Sequence, residues 1–329
     1  MRNYIIKRVL LSIVILFCVA FIVYVIMRSL PTSYVERQAG IKAMTPGSTR
    51  TYEEWMDLLN ARYGLDKAVL PGYLTWAKDA VRGDFGESWA WNMLCTDKFK
   101  DVIWYSFALG AFSLLFQMLI AIPLGILAAR KQYSRTDYTV TVVALVGISM
   151  PSFFFAALLK LTLSGQLGWF ELYGMVSRTH QFMTPFQQFL DIAWHYVMPL
   201  MTLTFISIGG WMRYVRTNML EVLNSDYIRT ARAKGLPEKR VVNHHAFRNT
   251  LIPIVTIFGG TLPGLFSGAL VTEQLFQIVG IGYTGYQSLI QGDIPFVMFY
   301  MTFMAVLVLA GTLLADILYA VVDPRVRVA

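Results

Sequence analysis

Ionisable side chains inside apolar runs are the residues of this sequence whose types and places suggest chemistry. Lys160 and Glu273 each interrupt an apolar stretch, and both are predicted near the end of a membrane span. Charged groups in such places are costly and often mark a transport path. A long side chain can also reach water at the membrane surface, which is the alternative explanation. Glu273 is therefore a candidate for a translocation path, with interfacial solvation left open.

The sequence offers no set of residues for catalysis. It contains no GxxxxGK[S/T] segment, the loop that binds nucleotide phosphates. The adjacent His244 and His245 point to different sides of a helix and make a poor metal pair. Cys18 and Cys95 are expected at different membrane depths, so we expect no disulfide between them. We predict no catalytic residue, no metal and no cofactor bound by this chain.

A basic segment at 213–249 contains the clearest helix start and stop signals. Ser225 can cap a helix that begins at Asp226. Gly235 fits the left-handed position that follows the end of a helix, and Pro237 suits the first position of the next helix. The sequence therefore predicts a compact helix–glycine–helix element in this segment.

Small side chains beside the glycine corner favour a docking role for this element. Ala231 and Ala233 would let the surface of another protein approach closely. The alternative is an ordinary charged connector between two membrane helices. The residue types alone leave both interpretations open.

The elements that must position these residues are membrane helices, as the composition indicates. Of 329 residues, 56% are hydrophobic and 15% charged, whereas about 25% are charged in an average soluble domain. An α-helix crosses the hydrocarbon core with about 20 residues. The apolar runs long enough to do so lie at 9–27, 102–129, 138–163, 196–213, 251–277 and 297–321. We predict an all-α integral membrane protein with six transmembrane helices, the first retained rather than cleaved as a signal peptide.

The distribution of basic residues predicts the orientation of the chain. Arg and Lys concentrate in the N-terminal stub, in the turn at 130–135, in the 213–249 segment and in the tail at 324–329. The loops after the third and fifth spans contain almost none. Positively charged loops stay in the cytoplasm, so both termini are predicted to be cytoplasmic. The net charge of +8 therefore reflects topology and requires no nucleic-acid partner.

Four regions follow from this topology. Residues 1–30 are the N-terminal segment with the first transmembrane helix, and residues 31–101 are an extracytoplasmic insertion. Residues 102–323 are a five-helix core, followed by the cytoplasmic tail. Apolar spacing predicts two amphipathic helices in the insertion, at 52–63 and 71–82.

Glycines recur every four residues in the fifth predicted span, at Gly260, Gly264 and Gly268. This spacing lines one helix face with small residues and is typical of close helix packing. We interpret the three glycines as a packing face. The glycine pattern at Gly280–Gly285 spells a dinucleotide-binding fingerprint, but no strand precedes it, so that function is rejected.

The segment Tyr227–Gly235, which reads YIRTARAKG, resembles the "EAA" loop of binding-protein-dependent ABC importer permeases, and more narrowly that of the peptide/nickel family. Gly235 matches the glycine of that loop and Ala231 matches one of its alanines. Arg229 and Thr230 depart from the general pattern, in which Glu and Ala occupy these positions. The peptide subfamily diverges in a similar way.

The resemblance extends over nearly the whole chain. Gly83–Ser88 (GDFGES), Ser149–Phe153 (SMPSF) and the closing Asp323–Arg327 look like segments of this family. Pro31–Tyr34 departs from the family pattern at the first external turn. The long insertion is similar to that of the first of the two permease subunits.

This resemblance implies a type I ABC importer permease fold with the external insertion after its first helix. The 213–249 loop would form a coupling helix that fits a groove on the ATPase. The residues assigned to this contact are Asp226, Tyr227, Arg229, Thr230, Ala231, Arg232, Ala233, Lys234, Gly235 and Leu236. Glu273 and Ser149 are assigned to the translocation path.

The implied importer takes up dipeptides or oligopeptides across the bacterial cell membrane. Its implied partners are membrane lipid, a homologous second permease, two cytoplasmic ATPases that hold ATP and Mg, and an external substrate-binding protein. Nickel chelates, sugar oligomers or other solutes remain alternative cargoes. An ion-coupled secondary carrier or a membrane scaffold is the alternative class, although a proton-driven carrier would usually place charges near a span centre.

Overall fold

The chain is largely α-helical over residues 2–29, 34–46, 50–62 and 65–322, which the computed structural model describes. The α-helices of these ranges are α1 (Arg2–Ser29), α2 (Tyr34–Met44), α3 (Tyr52–Arg62), α4 (Val69–Val81), α5 (Cys95–Arg130), α6 (Arg135–Ser149), α7 (Ser152–Leu159), α8 (Pro185–Leu223), α9 (Asp226–Ala233), α10 (Glu238–Arg240), α11 (Phe247–Thr261), α12 (Leu270–Phe276), α13 (Ile281–Gln291) and α14 (Ile294–Val322). The remaining elements are strands β1 (Glu87–Ser88) and β2 (Met93–Leu94), π-helices at Lys160–Gln166 and Val241–Ala246, and 3-10 helices at His180–Phe182 and Leu262–Phe266. The predicted tail at 324–329 and the predicted external turn at 31–33 lie outside the described residues.

Between four and six membrane spans are present among these residues, judged by length and apolarity. Four segments are long and apolar enough by themselves, namely Ile6–Met44, Cys95–Arg130, Pro185–Leu223 and Ile294–Leu313. Two interrupted helix pairs, Arg135–Ser149 with Ser152–Gln166 and Pro263–Phe276 with Ile281–Gln291, raise the number to six if each pair is one span. These four segments contain the predicted spans at 9–27, 102–129 and 196–213, and residues 297–313 of the sixth predicted span.

The third predicted span, 138–163, is broken in its middle. Met150 and Pro151 are extended, with ψ of 125° and 136°, and the helices on either side differ in direction by 102°. The ring of a proline clashes with a helical conformation of the preceding residue, which explains why α6 ends just before Met150. Ser149 is the last residue of α6 and is exposed.

The fifth predicted span, 251–277, is not one continuous helix. α11 ends at Thr261, a 3-10 helix follows, and Gly268 adopts a left-handed φ of +77° before α12 begins. Gly260 therefore lies in α11, Gly264 in the 3-10 helix and Gly268 in the irregular segment before α12, so the prediction of a continuous packing face was wrong. A Cβ atom at Gly260 or Gly264 would meet nothing within 4 Å among the described residues.

The helix α8 is longer at both ends than the predicted span 196–213. Its start is a capping box in which the Thr184 backbone N–H donates to Gln187 Oε1 at 3.0 Å, with Pro185 in the first turn. Its end is Leu223, so Arg213 and Arg216 lie on the helix rather than in a loop. The predicted loop 213–249 thus begins eleven residues too early, because basic residues suit the end of a helix as well as a loop.

The described chain divides into two compact units, residues 1–104 with 281–310 and residues 105–280 with 311–329. In the first unit, α3 and α4 confirm the two helices predicted in the insertion. The helix α2 was not predicted. It packs on α3 through a small core that contains Val35, Ala39 and Leu59.

The helix α4 is held against α1 by aromatic contacts around Tyr73. The buried Tyr73 hydroxyl donates to the carbonyl of Phe17 at 2.6 Å, and its ring packs against Phe17 and Phe21 at 5.0 and 5.1 Å between centroids. Gly72 permits this approach, because a Cβ atom there would lie 2.5 Å from Tyr24 Oη. The insertion of the first unit is thereby anchored on the first membrane helix.

A buried carboxylate, Asp293, ties the β1–β2 hairpin to the junction between α13 and α14. Its Oδ1 accepts from the backbone N–H of Trp89 at 3.1 Å and of Phe296 at 3.3 Å. Its Oδ2 accepts from the Ser88 hydroxyl and from the Ala90 N–H. Burial raises the pKa of the Asp293 carboxyl, and these donors partly oppose that effect.

We expect the stability of the protein to carry a pH dependence that comes from Asp293. The pKa of Asp293 is higher in the folded state than in the unfolded state. Its contribution to the free energy of unfolding is therefore complete below the unfolded pKa of about 3.9 and declines as the pH rises toward the folded pKa. This contribution is measured by thermal unfolding in detergent, with the wild type and Asp293→Asn compared from pH 4 to 8. The wild type should lose stability relative to the variant as the pH rises, and a constant difference would contradict this. Asp293→Ala, which leaves the donors unpaired, should be less stable at every pH.

Candidate functional site

The helix–glycine–helix element predicted at 213–249 is present in the second unit. α9 spans Asp226–Ala233, and Gly235 adopts a left-handed φ of +72°. α10 and a π-helix at Val241–Ala246 then lead into α11. The predicted side-chain cap is wrong, because the Ser225 hydroxyl donates backward to the Val222 carbonyl at 2.6 Å and makes no cap bond to α9.

The inner face of α9 is packed into a hydrophobic core that includes the end of α8. Ile228 is fully buried and Ala231 is 7% exposed. Buried residues of the same core lie on α8 and on the following π-helix, namely Val215, Met219, Leu223, Val241, Val242 and Ala246. Ala231 therefore packs inside this chain, and the prediction that it offers space to another protein was wrong. α9 and the end of α8 share one core.

The outer face of α9 is polar and exposed. Its exposed residues are Asp226, Tyr227, Arg229, Thr230, Arg232, Ala233, Lys234 and Gly235. Leu236 is partly buried against the core. Of the ten residues predicted for the docking contact, all but Ala231 and Leu236 are thus exposed. The face carries three cationic side chains and one carboxylate, so it suits an acidic surface on a partner.

The corner at Gly235 is bridged by an ion pair. Arg232 donates to both oxygens of Glu238, from Nη2 at 2.9 Å and from Nε at 3.2 Å. The hydrogen bond from Arg232 lowers the pKa of the Glu238 carboxyl and raises the pKa of the guanidinium. Both side chains are about half exposed, so the pair contributes at most about 1 kcal/mol to stability. The pair connects α9 to α10 across the corner.

A second ion pair connects α8 to α6 close to this core. Arg216 donates from Nε and Nη2 to the two oxygens of Asp137, each at 2.8 Å. Asp137 is 5% exposed and also accepts from the Tyr133 N–H at 3.0 Å. Two-pronged bonding between a guanidinium and a carboxylate is strong and directional. The pair was not predicted, since its partners lie 79 residues apart in the sequence.

The helices α6 and α8 approach each other closely beyond this pair. A Cβ atom at Gly147 of α6 would lie 2.8 Å from the Phe205 carbonyl oxygen of α8. A Cβ atom at Gly209 of α8 would collide with the Ala144 carbonyl of α6 and lie 2.7 Å from Ile148 Cγ1. Only glycine permits this spacing at either position, so α6 and α8 form a tightly packed pair.

Glu273 is fully buried on α12 rather than solvated at an interface. Its Oε1 accepts from the Ser106 hydroxyl at 2.6 Å and from the Ala269 N–H at 3.0 Å. A Cβ atom at Gly280 would lie 2.6 Å from the Glu273 carboxyl carbon, so this glycine leaves room for the carboxylate. Lys160, the other predicted ionisable candidate, donates to the Leu275 carbonyl at 2.7 Å.

A cavity of about 230 Å³ lies beside Ser106, among α5, α8 and the break after α11. Its lining residues are Ser106, Gly110, Ser113, Leu114, Gln117, Leu203, Ser207, Trp211, Thr261, Gly264, Leu265, Gly268 and Ala269. Glu273 reaches this set through its hydrogen bonds to Ser106 and Ala269. Ser149, the other residue predicted for a path, is not among the lining residues.

The polar side of this cavity was missed at the sequence level. Ser106, Gly110, Ser113 and Gln117 follow one another at intervals of four, three and four residues along α5. That spacing places small and polar residues on one face of a helix. This spacing can be recognised in the sequence, but an average of the hydropathy over the apolar run conceals it.

Comparison with known proteins gives a consistent similarity over the full length. The family described as "Binding-protein-dependent transport system inner membrane component" matches residues 121–328. The chain is 37% identical to the oligopeptide transport system permease protein AppB of Bacillus subtilis, over 99% of this chain and 100% of that protein. It is 30% identical to the oligopeptide transport system permease protein OppB of Haemophilus influenzae, over 93% and 99%. It is 32% identical to the di/tripeptide transport system permease protein DppB of Pseudomonas aeruginosa, over 99% of each.

We expect Ile228→Ala to loosen α9 from α8. Removing a fully buried isoleucine costs about 2–5 kcal/mol through lost burial and a residual cavity. The unfolding midpoint in detergent should fall, and limited proteolysis should cut near residues 224–236 more rapidly. The matched control is Tyr227→Ala on the exposed face, which should leave both measurements near wild type. Equal effects of the two substitutions would contradict the packing described.

Proposed function

The chain belongs to the family of binding-protein-dependent transport system inner membrane components, and from this premise we propose that it is a permease subunit of an ATP-driven importer of peptides. The peptide cargo is inferred from relatives of nearly equal length that are named as oligopeptide or di/tripeptide permeases. The chain itself performs no catalysis in this proposal. ATP and Mg are held by its partners.

The observation that carries the proposal is the division of α9 into two faces. One face is buried with α8 through Ile228 and Ala231, and the other is exposed, polar and largely cationic. An exposed helix that is rigidly attached to a membrane helix suits the transfer of force from a docked protein. We assign the exposed face as the contact with a cytoplasmic ATPase subunit.

Force applied to α9 would reach the membrane core along two routes. The first is the common core with the end of α8, around Val215 and Met219. The second is the Arg216–Asp137 ion pair, which joins α8 to the start of α6. Closure of two ATPases on ATP would therefore displace α8 and α6 together and change which side of the membrane the path opens to.

The assembly inferred for this mechanism is heteromeric. The chain would pair with a homologous permease, two cytoplasmic ATPases and an extracytoplasmic binding protein, within the bacterial cytoplasmic membrane. Both termini and α9 would lie in the cytoplasm, and the insertion at 31–101 on the side of the binding protein. The six-span topology in this proposal counts each interrupted helix pair as one span.

We predict that replacing Asp226–Leu236 with a Gly/Ser linker of equal length abolishes ATP-dependent peptide uptake. The replacement removes both the docking face and its attachment to α8. The measurement is uptake of a labelled peptide by proteoliposomes that contain the complete complex, with co-purification of the ATPases as a second readout. Unchanged uptake would sink the coupling assignment. If the unaltered complex moves nickel chelates or sugars but no peptide, the cargo assignment fails while the importer class stands.

We predict that Asp137→Asn uncouples transport from hydrolysis. The substitution leaves Arg216 without its charged partner, and charge-assisted hydrogen bonds of this kind contribute about 1.5–3 kcal/mol. The number of peptides transported per ATP hydrolysed should fall several-fold. Exchange of the pair by Asp137→Arg with Arg216→Asp should restore part of it. A ratio unchanged in Asp137→Asn would show that the pair transmits no force.

A further inference from the structure

We propose that the cavity among α5, α8 and the break after α11 is a site that binds the main chain of the transported peptide. This inference rests on the proposed importer function and names the chemistry by which the chain would contact its cargo. The lining is polar on two helices, contains free hydrogen-bonding capacity and carries no ionisable side chain.

The polar lining is concentrated on two helix faces. On α5 it comprises Ser106, Ser113 and Gln117, which are 2%, 2% and 8% exposed. On α8, Ser207 and Trp211 follow one another at an interval of four residues. Buried hydroxyl and amide groups in a membrane-embedded segment are costly unless they find partners. A group of them around one cavity indicates that the cavity holds water or a polar solute.

Gln117 lines this space and supplies an acceptor that no described residue uses. Its Nε2 donates to the Ser113 hydroxyl at 2.7 Å and lies 3.5 Å from the Leu203 carbonyl oxygen. Among the described residues, no donor reaches its Oε1, although the side chain is more than nine-tenths buried. The Ser207 hydroxyl likewise has no hydrogen-bond partner in the described part of the chain. One acceptor and one hydroxyl are therefore available to a ligand.

The break between α11 and α12 completes the cavity with backbone. Gly264 and Gly268 line it, and Gly268 takes a left-handed conformation. Irregular backbone at membrane depth is tolerated where it is enclosed by protein or lines a polar cavity. Glycine at these two positions keeps side chains out of the space. A solute can thus approach the backbone itself.

These features select a peptide bond as the ligand group. Each peptide unit presents one N–H donor and one carbonyl acceptor, which match a free amide oxygen and a free hydroxyl. The absence of ionisable lining residues disfavours a bare charge, which would be poorly solvated here. Recognition of the main chain is independent of peptide sequence. The cavity of about 230 Å³ far exceeds the roughly 10–15 Å³ that one water needs.

Glu273 acts in this arrangement as a positioning residue. Its carboxylate is engaged by Ser106 of α5 and by the Ala269 N–H at the end of the break. It therefore fixes the break against α5 and is not offered to the solute. Glu273 therefore shapes the cavity, whereas Gln117 and Ser207 contact the cargo.

The test uses the complete complex in proteoliposomes and a labelled tripeptide with its binding protein. Gln117→Leu, which has nearly the same volume, should reduce the uptake rate about tenfold. ATP hydrolysis stimulated by the loaded binding protein should stay near wild type, because the coupling element is intact. The control is Leu119→Ala on the exposed side of α5, which should transport normally. Wild-type uptake by Gln117→Leu would overturn the proposal.

A second measurement covers the case in which Gln117→Leu fails to assemble. Ser113→Cys, in a chain with Cys18 and Cys95 replaced by alanine, should react with a charged methanethiosulfonate reagent in the assembled complex. The loaded binding protein with ATP should slow that reaction several-fold. Absence of labelling, or labelling that the peptide does not slow, would overturn the site. If the wild-type complex transports no peptide at all, the proposed function fails instead, so the two failures are distinguishable.

Discussion

The constraint on which this structure depends is that hydrocarbon offers no hydrogen bonds, so each polar group at membrane depth needs a partner from protein or from enclosed water. Long helices such as α5 and α8 satisfy this constraint because their backbone groups pair with each other along the helix. The breaks at Met150–Pro151 and after Thr261 do not, and the second is lined by a polar cavity and stabilised by the buried Glu273 carboxylate. The irregular segment and the buried Glu273 side chain thus provide each other with hydrogen-bond partners. Ser106 takes part in both, since it lines the cavity and donates to Glu273.

The same helix, α8, takes part in both assigned sites. Its end packs against α9 through Val215 and Met219, and its middle lines the cavity through Ser207 and Trp211. The contact with α6 is close because Gly147 and Gly209 have no side chains, and the Arg216–Asp137 pair holds the two helices at one end. A docking event at α9 therefore has a continuous protein connection to the cavity, made of packed side chains and one ion pair. This gives the coupling hypothesis a specific set of residues to act through.

Prediction from sequence succeeded where the signals were local and failed where the partners were distant. The helix at 226–233 and the corner at Gly235 were predictable, because Asp226, Gly235 and Pro237 act on their own segment. The inward orientation of Ala231 was not, since it depends on a core shared with α8. The spacing of Gly260, Gly264 and Gly268 favoured a continuous helix, whereas Gly268 is needed for a left-handed turn. Glu273 was identified, but its burial depends on Ser106, which is 167 residues away.

The length of α8 has a mechanical consequence. A helix of 39 residues is about 58 Å long, roughly twice the hydrocarbon thickness of about 30 Å. Such a rod acts as a lever, because a tilt of about 5° around one end moves the other end by roughly 5 Å. A small rotation of α8 inside the membrane would then displace its end at the membrane surface by a much larger distance. Under the proposed docking at α9, a large displacement of α9 would need only a small rotation of α8 within the bilayer.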